Sequence, residues 1–555
     1  MQWPKKTAAH LSALALGAAM ATALGVPGAL AAAPLHPRVD ELVAAKATAS
    51  GQRLAAPAAD AEFLRRAWLD FAGTIPSATQ ARQFIADPSP TKRAQLIGRL
   101  MAAPTFAERM AEVFNIQLME RNGDSEDWRG YLRAAFATNR PWDQMTREML
   151  SPDFKDASLR GAGHFITRRL EKVGQQETDY PGLTRDVGRL FMGVDLQCCQ
   201  CHRHLTVKEY KQVDFNGLFT VFSNARLQAA AGDYKTPWVQ EGLMTNKYEF
   251  VSVLNQVKGS TGPRVPLGAE VPLPDPAKDP LWIVPPNTKT RSAGVPKFSA
   301  LGELSRRMAS PENPYFARNI ANRIWWQFMG RGLVEPLDLH HAENPASHPE
   351  LIDTLAKELV AHRYDLKWLV GELALTQAYQ RTGVLPAGAP AAPVELFTAA
   401  LERPLSAEQF LRAVLAALGE QERIVEGRGW EGLAGPRHTL KEFETTFLGA
   451  LANAPREPEL AVNPTLRAAL FLRNNDRVQW LLERRRGNLV DRVASMTDTA
   501  AMADELSLAI FTRPAAAEEK AALATHLQRN AGERERALGR FAWAMISSIE
   551  FFTNH

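Results

Sequence analysis

Cysteine is scarce: three in 555 residues, and all three fall within four positions, Cys198, Cys199 and Cys201. A chain this long with so few thiols is not a disulfide-framework protein and must be held by an ordinary apolar core. Past the first thirty residues no uninterrupted apolar run approaches about 18 residues, which excludes a later bilayer-spanning helix. Charge of one sign is also lacking, with 65 Lys+Arg against 61 Asp+Glu. Without Lys5 and Lys6 the 65 become 63 against 61, a balance of +2, so no global attraction to nucleic acid or anionic membrane is expected. The longest basic run, Arg484-Arg485-Arg486, follows a predicted helix and reads as a solvated face. A phosphate-binding glycine loop, a Gly-x-Ser-x-Gly elbow and a His-Glu-x-x-His helix are all missing, so the sequence names no catalytic acid, base or nucleophile.

What is present begins with an address. Residues 1–6 are basic, residues 11–26 are apolar and rich in Ala and Leu, and Ala29-Leu30-Ala31 is a small-x-small cleavage pattern. Residues 1–31 are therefore read as a cleaved secretory signal peptide, with an uncleaved anchor as the competing reading; Pro27 and the cleavage pattern favour removal. There is no twin arginine, and no cysteine before Cys198 to carry a lipid. The expected location is the periplasm, the cell surface or the medium, with no stable membrane span after cleavage, in a compartment that favours disulfides.

The hydrophobic fraction of 45% and the charged fraction of 23% are those of a folded protein. Its length predicts two or three domains of about 150–250 residues each. Residues 32–59 are Ala/Pro-rich and read as a tether with one short helix. From there apolar residues recur at helical spacing, as in Phe63-Leu64-Arg65-Arg66-Ala67-Trp68-Leu69-Asp70-Phe71. Ser77-Ala78-Thr79-Gln80, Ser347-His348-Pro349-Glu350 and Ser406-Ala407-Glu408-Gln409 have capping-box form. Asn313-Pro314 opens a helix that Gly330 stops. Between residues 226 and 298 prolines cluster, and Tyr248-Glu249-Phe250-Val251-Ser252-Val253-Leu254 has strand character. The predicted fold is mainly α: a helical domain over 60–225, a linker or small β-containing insertion over 226–298, and a second helical domain over 299–555.

The chemistry converges on Cys198-Cys199-Gln200-Cys201-His202-Arg203-His204. Cys198-x-x-Cys201-His202 has the spacing of c-type haem attachment: two thiols to add across the porphyrin vinyl groups, and an imidazole to ligate the iron. Export supports this, because haem is attached covalently outside the cytoplasm. The same residues admit two other readings. Cys198 and Cys201 can close a small disulfide, leaving Cys199 as an odd thiol that competes or stays free; alternatively Cys198, Cys201, His202 and His204 can hold zinc or copper. Residues two apart on a helix point to opposite sides, so His204 is expected near a propionate or in a core hydrogen bond, with His202 as the metal ligand. Distal-ligand candidates are Met192, His164, His340 and His341. Asp338-Leu339-His340-His341-Ala342-Glu343 resembles a metal constellation but lies where a polar loop is expected.

A family resemblance covers nearly the whole mature chain. The Phe63 to Asp70 run, Gly73-Thr74-Ile75-Pro76-Ser77 and Lys92-Arg93-Ala94-Gln95-Leu96-Ile97 resemble the planctomycete-type cytochrome-like (PSCyt) domain of secreted proteins. That domain's Cys-x-x-Cys-His-x-His hallmark maps onto Cys198, Cys201, His202 and His204, after a similar lead-in at Phe191-Met192-Gly193-Val194. Pro314-Tyr315-Phe316-Ala317-Arg318, Asn322-Arg323-Ile324-Trp325, Gly330-Arg331-Gly332-Leu333-Val334 and Ser347-His348-Pro349-Glu350-Leu351 resemble the PSD domain that habitually follows. Leu205 stands where proline is usual, Arg203 where a small acidic or amide residue is common, and Cys199 is extra. The resemblance implies a second exported protein of a co-occurring family as partner. The leading expectation is an exported c-type haem protein with a redox role, in electron transfer or haem-dependent oxidation. The alternative is a non-redox secreted scaffold whose Cys/His cluster is a disulfide or a structural zinc or copper site.

Overall fold

Local signals set many of the helix ends. Ser77 Oγ accepts the Gln80 backbone N–H at 3.2 Å while Gln80 Oε1 accepts that of Ser77 at 2.9 Å, and Ser406 and Gln409 repeat the exchange. Pro314 opens the Pro314–Met329 helix, and Gly330 ends it in the left-handed region at φ 82°. The third expected box does not form. Pro349 takes the first helical position, which makes His348 the cap and turns Ser347 Oγ onto His348 Nδ1 at 3.1 Å.

The computed structural model describes residues 33–172, 174–230, 233–289, 292–421, 440–456 and 465–555. The predicted signal peptide, residues 1–31, lies outside the described residues. Leu35–His555 forms one compact unit, and it is mainly α-helical. Helix α1 (His36–Ala49) falls in the Ala/Pro-rich segment and buries Val39, Val43 and Ala47. Helix α2 (Asp60–Ala72) buries Phe63, Leu64, Leu69 and Phe71. The Pro-rich segment holds three antiparallel two-stranded ribbons: β1 (Ala225–Ala230) with β2 (Asp233–Glu241), β3 (Tyr248–Val251) with β4 (Lys258–Thr261), and β5 (Trp282–Val284) with β6 (Val295–Pro296). Tyr248 lies opposite Thr261 and Val251 opposite Lys258. A fourth ribbon joins distant chain segments, β7 (Arg403–Pro404) to β8 (Thr553–Asn554).

One hydrophobic core runs through both helical halves, from Leu35 to Phe551. Helix α2 carries three charged side chains into it, Arg65, Arg66 and Asp70, each at most 3% exposed. Arg65 donates to the carbonyls of Ile510 and Phe551, both at 3.0 Å. Arg66 donates to the carbonyls of Tyr379, Arg381 (2.8 Å) and His555 (3.2 Å), and its charge is met by Glu62 at 2.8 Å. Ile510, Tyr379 and Phe551 stand in the last turns of their helices, where carbonyls have no intrahelical partner. The guanidinium supplies both the donors and the charge that the helix dipole favours at that end. Burial pushes Arg65 down to about 10, which leaves it cationic at neutral pH. Asp70 accepts from Arg403 (2.7 Å), the Tyr379 hydroxyl (2.8 Å) and Asn554 Nδ2 (2.9 Å), tying α2 to the β7–β8 ribbon. Of the Arg484-Arg485-Arg486 run, Arg485 turns inward onto buried Glu420, while Arg484 stays exposed and pairs with Asp491 and Glu535 at the surface.

Truncating Asp70 strands a buried guanidinium. Asp70→Ala is expected to lower unfolding stability by about 3–5 kcal/mol in a urea titration, with Asp70→Asn losing less. A loss of less than about 1 kcal/mol would show that Arg403 finds compensation elsewhere.

Candidate functional site

The motif hangs between two helices. The Tyr180–Met192 helix starts on Asp179, whose Oδ1 accepts the Gly182 N–H at 2.8 Å, and ends at Gly193 in the left-handed region at φ 65°. A Cβ at Gly193 would also run into the His340 ring, so both conformation and space require glycine there. Beyond it Val194 pairs antiparallel with Leu339, Asp195 N–H donates to the Asp338 carbonyl at 3.0 Å, and His340 N–H donates to the Gly193 carbonyl at 2.9 Å. The lead-in is thereby clamped to the loop around residue 340, far away in sequence.

Cys198–Gln200 form one 3₁₀ turn, and the His202 N–H reaches back to the Cys198 carbonyl at 3.3 Å. This turn sorts the cysteines: Cys198 and Cys201 are exposed, Cys199 is buried, and all three are free thiols. Desolvation pushes the Cys199 thiol up to about 12, so it stays protonated and unreactive. The two histidines are sorted by hydrogen bonding. A carbonyl only accepts, so the 2.6 Å contact of His202 Nδ1 with the Arg203 carbonyl places the proton on Nδ1 and leaves Nε2 with a lone pair. His204 is the reverse: its Nδ1 accepts the Val207 N–H at 2.9 Å, which spends that lone pair inside the loop. His202 therefore keeps its Nε2 lone pair, and His204 staples its own turn.

The second half closes over the loop. Tyr210 packs edge-on between His204 (5.9 Å) and His341 (5.5 Å), and its hydroxyl donates to the His340 carbonyl at 2.9 Å. His340 is 5% exposed with no partner at Nε2. Burial pushes it down to about 3, so it is neutral. Asp338 is consumed by Arg189 (3.3 Å) and Arg323, and Glu343 is exposed, so the 338–343 run does not converge on a metal. Among the described residues no three His, Cys, Asp or Glu side chains form a metal-ligand group. Of the other distal candidates, Met192 is fully buried with its sulfur 3.1 Å from Asn313 Nδ2, and His164 packs on Trp128 at 6.2 Å.

One feature of the loop lies outside the motif. The turn after β3 bonds to it, the Val253 N–H donating to the Cys201 carbonyl at 3.0 Å. It brings exposed Val253, Leu254 and Val257, each 59% exposed, to a loop that already shows Leu205 at 72%. The strand signal at Tyr248 to Leu254 announced a ribbon but not its neighbour. These residues fit a haem: two exposed thiols three apart, an imidazole oriented by a carbonyl with a free Nε2, and apolar side chains to lie against a macrocycle.

The class of molecule is thus a helical protein whose first half presents a Cys/His loop and whose second half braces it. The PSCyt2 family model, described as a protein of unknown function (DUF1549), matches residues 38–227, and the PSD1 model, a protein of unknown function (DUF1553), matches 302–445. The chain belongs to this PSCyt–PSD family, in the order its motifs indicate. No curated protein and no solved structure matches. The clamp between Gly193 and His340 joins the two matched regions.

Two measurements check this geometry. Iodoacetamide on the folded, haem-free protein should label Cys198 and Cys201 and spare Cys199 until denaturant is added, read by peptide mass mapping; early labelling of Cys199 contradicts its burial. For His340, the folded value near 3 lies below the ordinary 6.5. The unfolded chain therefore binds more protons, and the stability His340 contributes is lost as pH falls below about 6.5. His340→Gln should flatten the acid limb by about 2–3 kcal/mol between pH 7 and 4, measured as urea stability against pH; an unchanged slope contradicts the assignment.

Proposed function

We propose that this protein is an exported c-type haem protein with a redox role. Cys198 and Cys201 would hold the macrocycle, each S–H adding across one vinyl C=C so that no oxidant is needed, and His202 Nε2 would ligate its iron. The observation that carries this reading is the exposure pattern: the two thiols at the required spacing face solvent, and the extra thiol that would compete is buried. When bound, the haem supplies reversible one-electron iron chemistry. The Arg203 carbonyl fixes the His202 tautomer and makes its Nε2 a stronger donor. Leu205, Val253 and Leu254, exposed beside the loop, offer apolar surface for a macrocycle to lie against. The signal pattern of residues 1–31 supplies the route to the compartment where the thioethers are made, and the apolar rim suits docking of an exported partner.

The test is a visible spectrum and an intact mass after expression with an export-coupled haem-maturation system. The natural sequence and Cys199→Ala should each carry one covalent haem, and the Cys198→Ala/Cys201→Ala double variant none. A haem-free natural sequence under competent maturation overturns the proposal and leaves the loop as a disulfide or metal site in a binding scaffold.

A further inference from the structure

His202 would fill one axial position of a haem iron; the other takes a second lone pair from His or Met, or is left to solvent. Among the described residues, the four candidates for that position are engaged elsewhere. Met192 is fully buried, and its sulfur meets Asn313 Nδ2 at 3.1 Å. His164 packs on Trp128 and lines a groove that no motif residue borders. His340 is buried with its ring against Gly193. His341 packs on Tyr210 and lines a cavity of about 330 Å³ between the two halves, with Glu209, Tyr315 and Arg318. None of Cys198, Cys201, His202 or His204 lines that cavity.

The groups beside the loop are no better placed to ligate. His204 spends its Nδ1 lone pair on the Val207 N–H, so in the neutral ring Nε2 carries the proton. Leu205 and, on the turn bonded to the Cys201 carbonyl, Val253, Leu254 and Val257 are exposed hydrocarbon. The two amides of that turn are spent within it: Asn255 Oδ1 accepts the Val257 N–H at 3.3 Å, and Gln256 Nε2 donates to the Val253 carbonyl at 3.5 Å. Exposed Lys208 and Lys211 are ammonium groups, with donors and no lone pair. Asp195 and Glu209 each accept a backbone N–H, from Gln197 at 2.8 Å and from Ala342 at 2.7 Å.

We propose, resting on the haem reading above, that this chain gives its iron one axial ligand, His202, and leaves the other position to a ligand of a few atoms from solvent. Of the two redox roles, an open position fits chemistry on a bound molecule, whereas two protein ligands fit electron transfer alone.

The test uses the full chain carrying its covalent haem, verified by intact mass. At neutral pH the ferric protein should give a high-spin electron paramagnetic resonance signal that shifts to low spin on titration with cyanide. The ferrous protein should bind carbon monoxide with a saturating shift of the Soret band. His164→Gln and His341→Gln, both at half-buried positions, should leave the resting signal high-spin. A low-spin resting signal in the natural sequence overturns the inference, whether or not either variant relieves it, and so does failure to bind both cyanide and carbon monoxide. These outcomes are read only on haem-loaded protein, so they differ from a failure of haem attachment, which removes the haem reading and this inference with it.

Discussion

Helix C-termini buried in a protein leave carbonyls that must find donors, and in this molecule arginines from distant elements supply them. Arg65 reaches Ile510, Arg66 reaches Tyr379, Arg169 reaches Leu118 at 2.7 Å, Arg323 reaches Arg189 at 3.0 Å, Arg403 reaches Gln327 and Arg412 reaches Gly73 at 3.0 Å. Each contact sets a cation at the negative end of a dipole, and all but the one to Arg189, whose carbonyl already accepts the Gly193 N–H at 3.1 Å, also satisfy an orphan acceptor. Each also joins elements remote in sequence or in the stack of helices. Many short helices, separately marginal, are locked into one unit this way.

The candidate site inherits that rigidity. Asp338 lies between Arg189 on the helix that leads into the motif and Arg323 on a helix of the second half, and Arg323 also caps the first of these helices. The 338–341 loop is therefore held by charge, by two backbone bonds, to Gly193 and from Asp195, and by Tyr210. A surface loop of seven residues with two exposed thiols would be floppy alone. Here it is braced on one side by a buried neutral histidine and on the other by the ribbon turn at Val253.

Much of this was legible in the chain. The capping boxes at Ser77 and Ser406, the Pro314 start and the Gly330 stop are local chemistry, and they appear where expected. The box at Ser347 was misread because proline at the next-but-one position overrides a serine cap. The Cys-x-x-Cys-His spacing and both family regions were readable from residues alone. The sorting of Cys199 from its neighbours was not, since one 3₁₀ turn decides which thiol points inward. The spacing already set His202 apart from His204, but the tautomers were not readable, because they depend on which backbone group each ring meets.

The sequence by itself determined the helical class and the two family regions, because spacing and capping act over a few residues. The tertiary structure alone decided that Asp70 meets Arg403 and Asn554, that His340 sits against Gly193, and that a cavity lies between the halves. Those pairings span hundreds of positions and follow from how apolar faces and unpaired carbonyls are jointly satisfied, a condition on the whole chain.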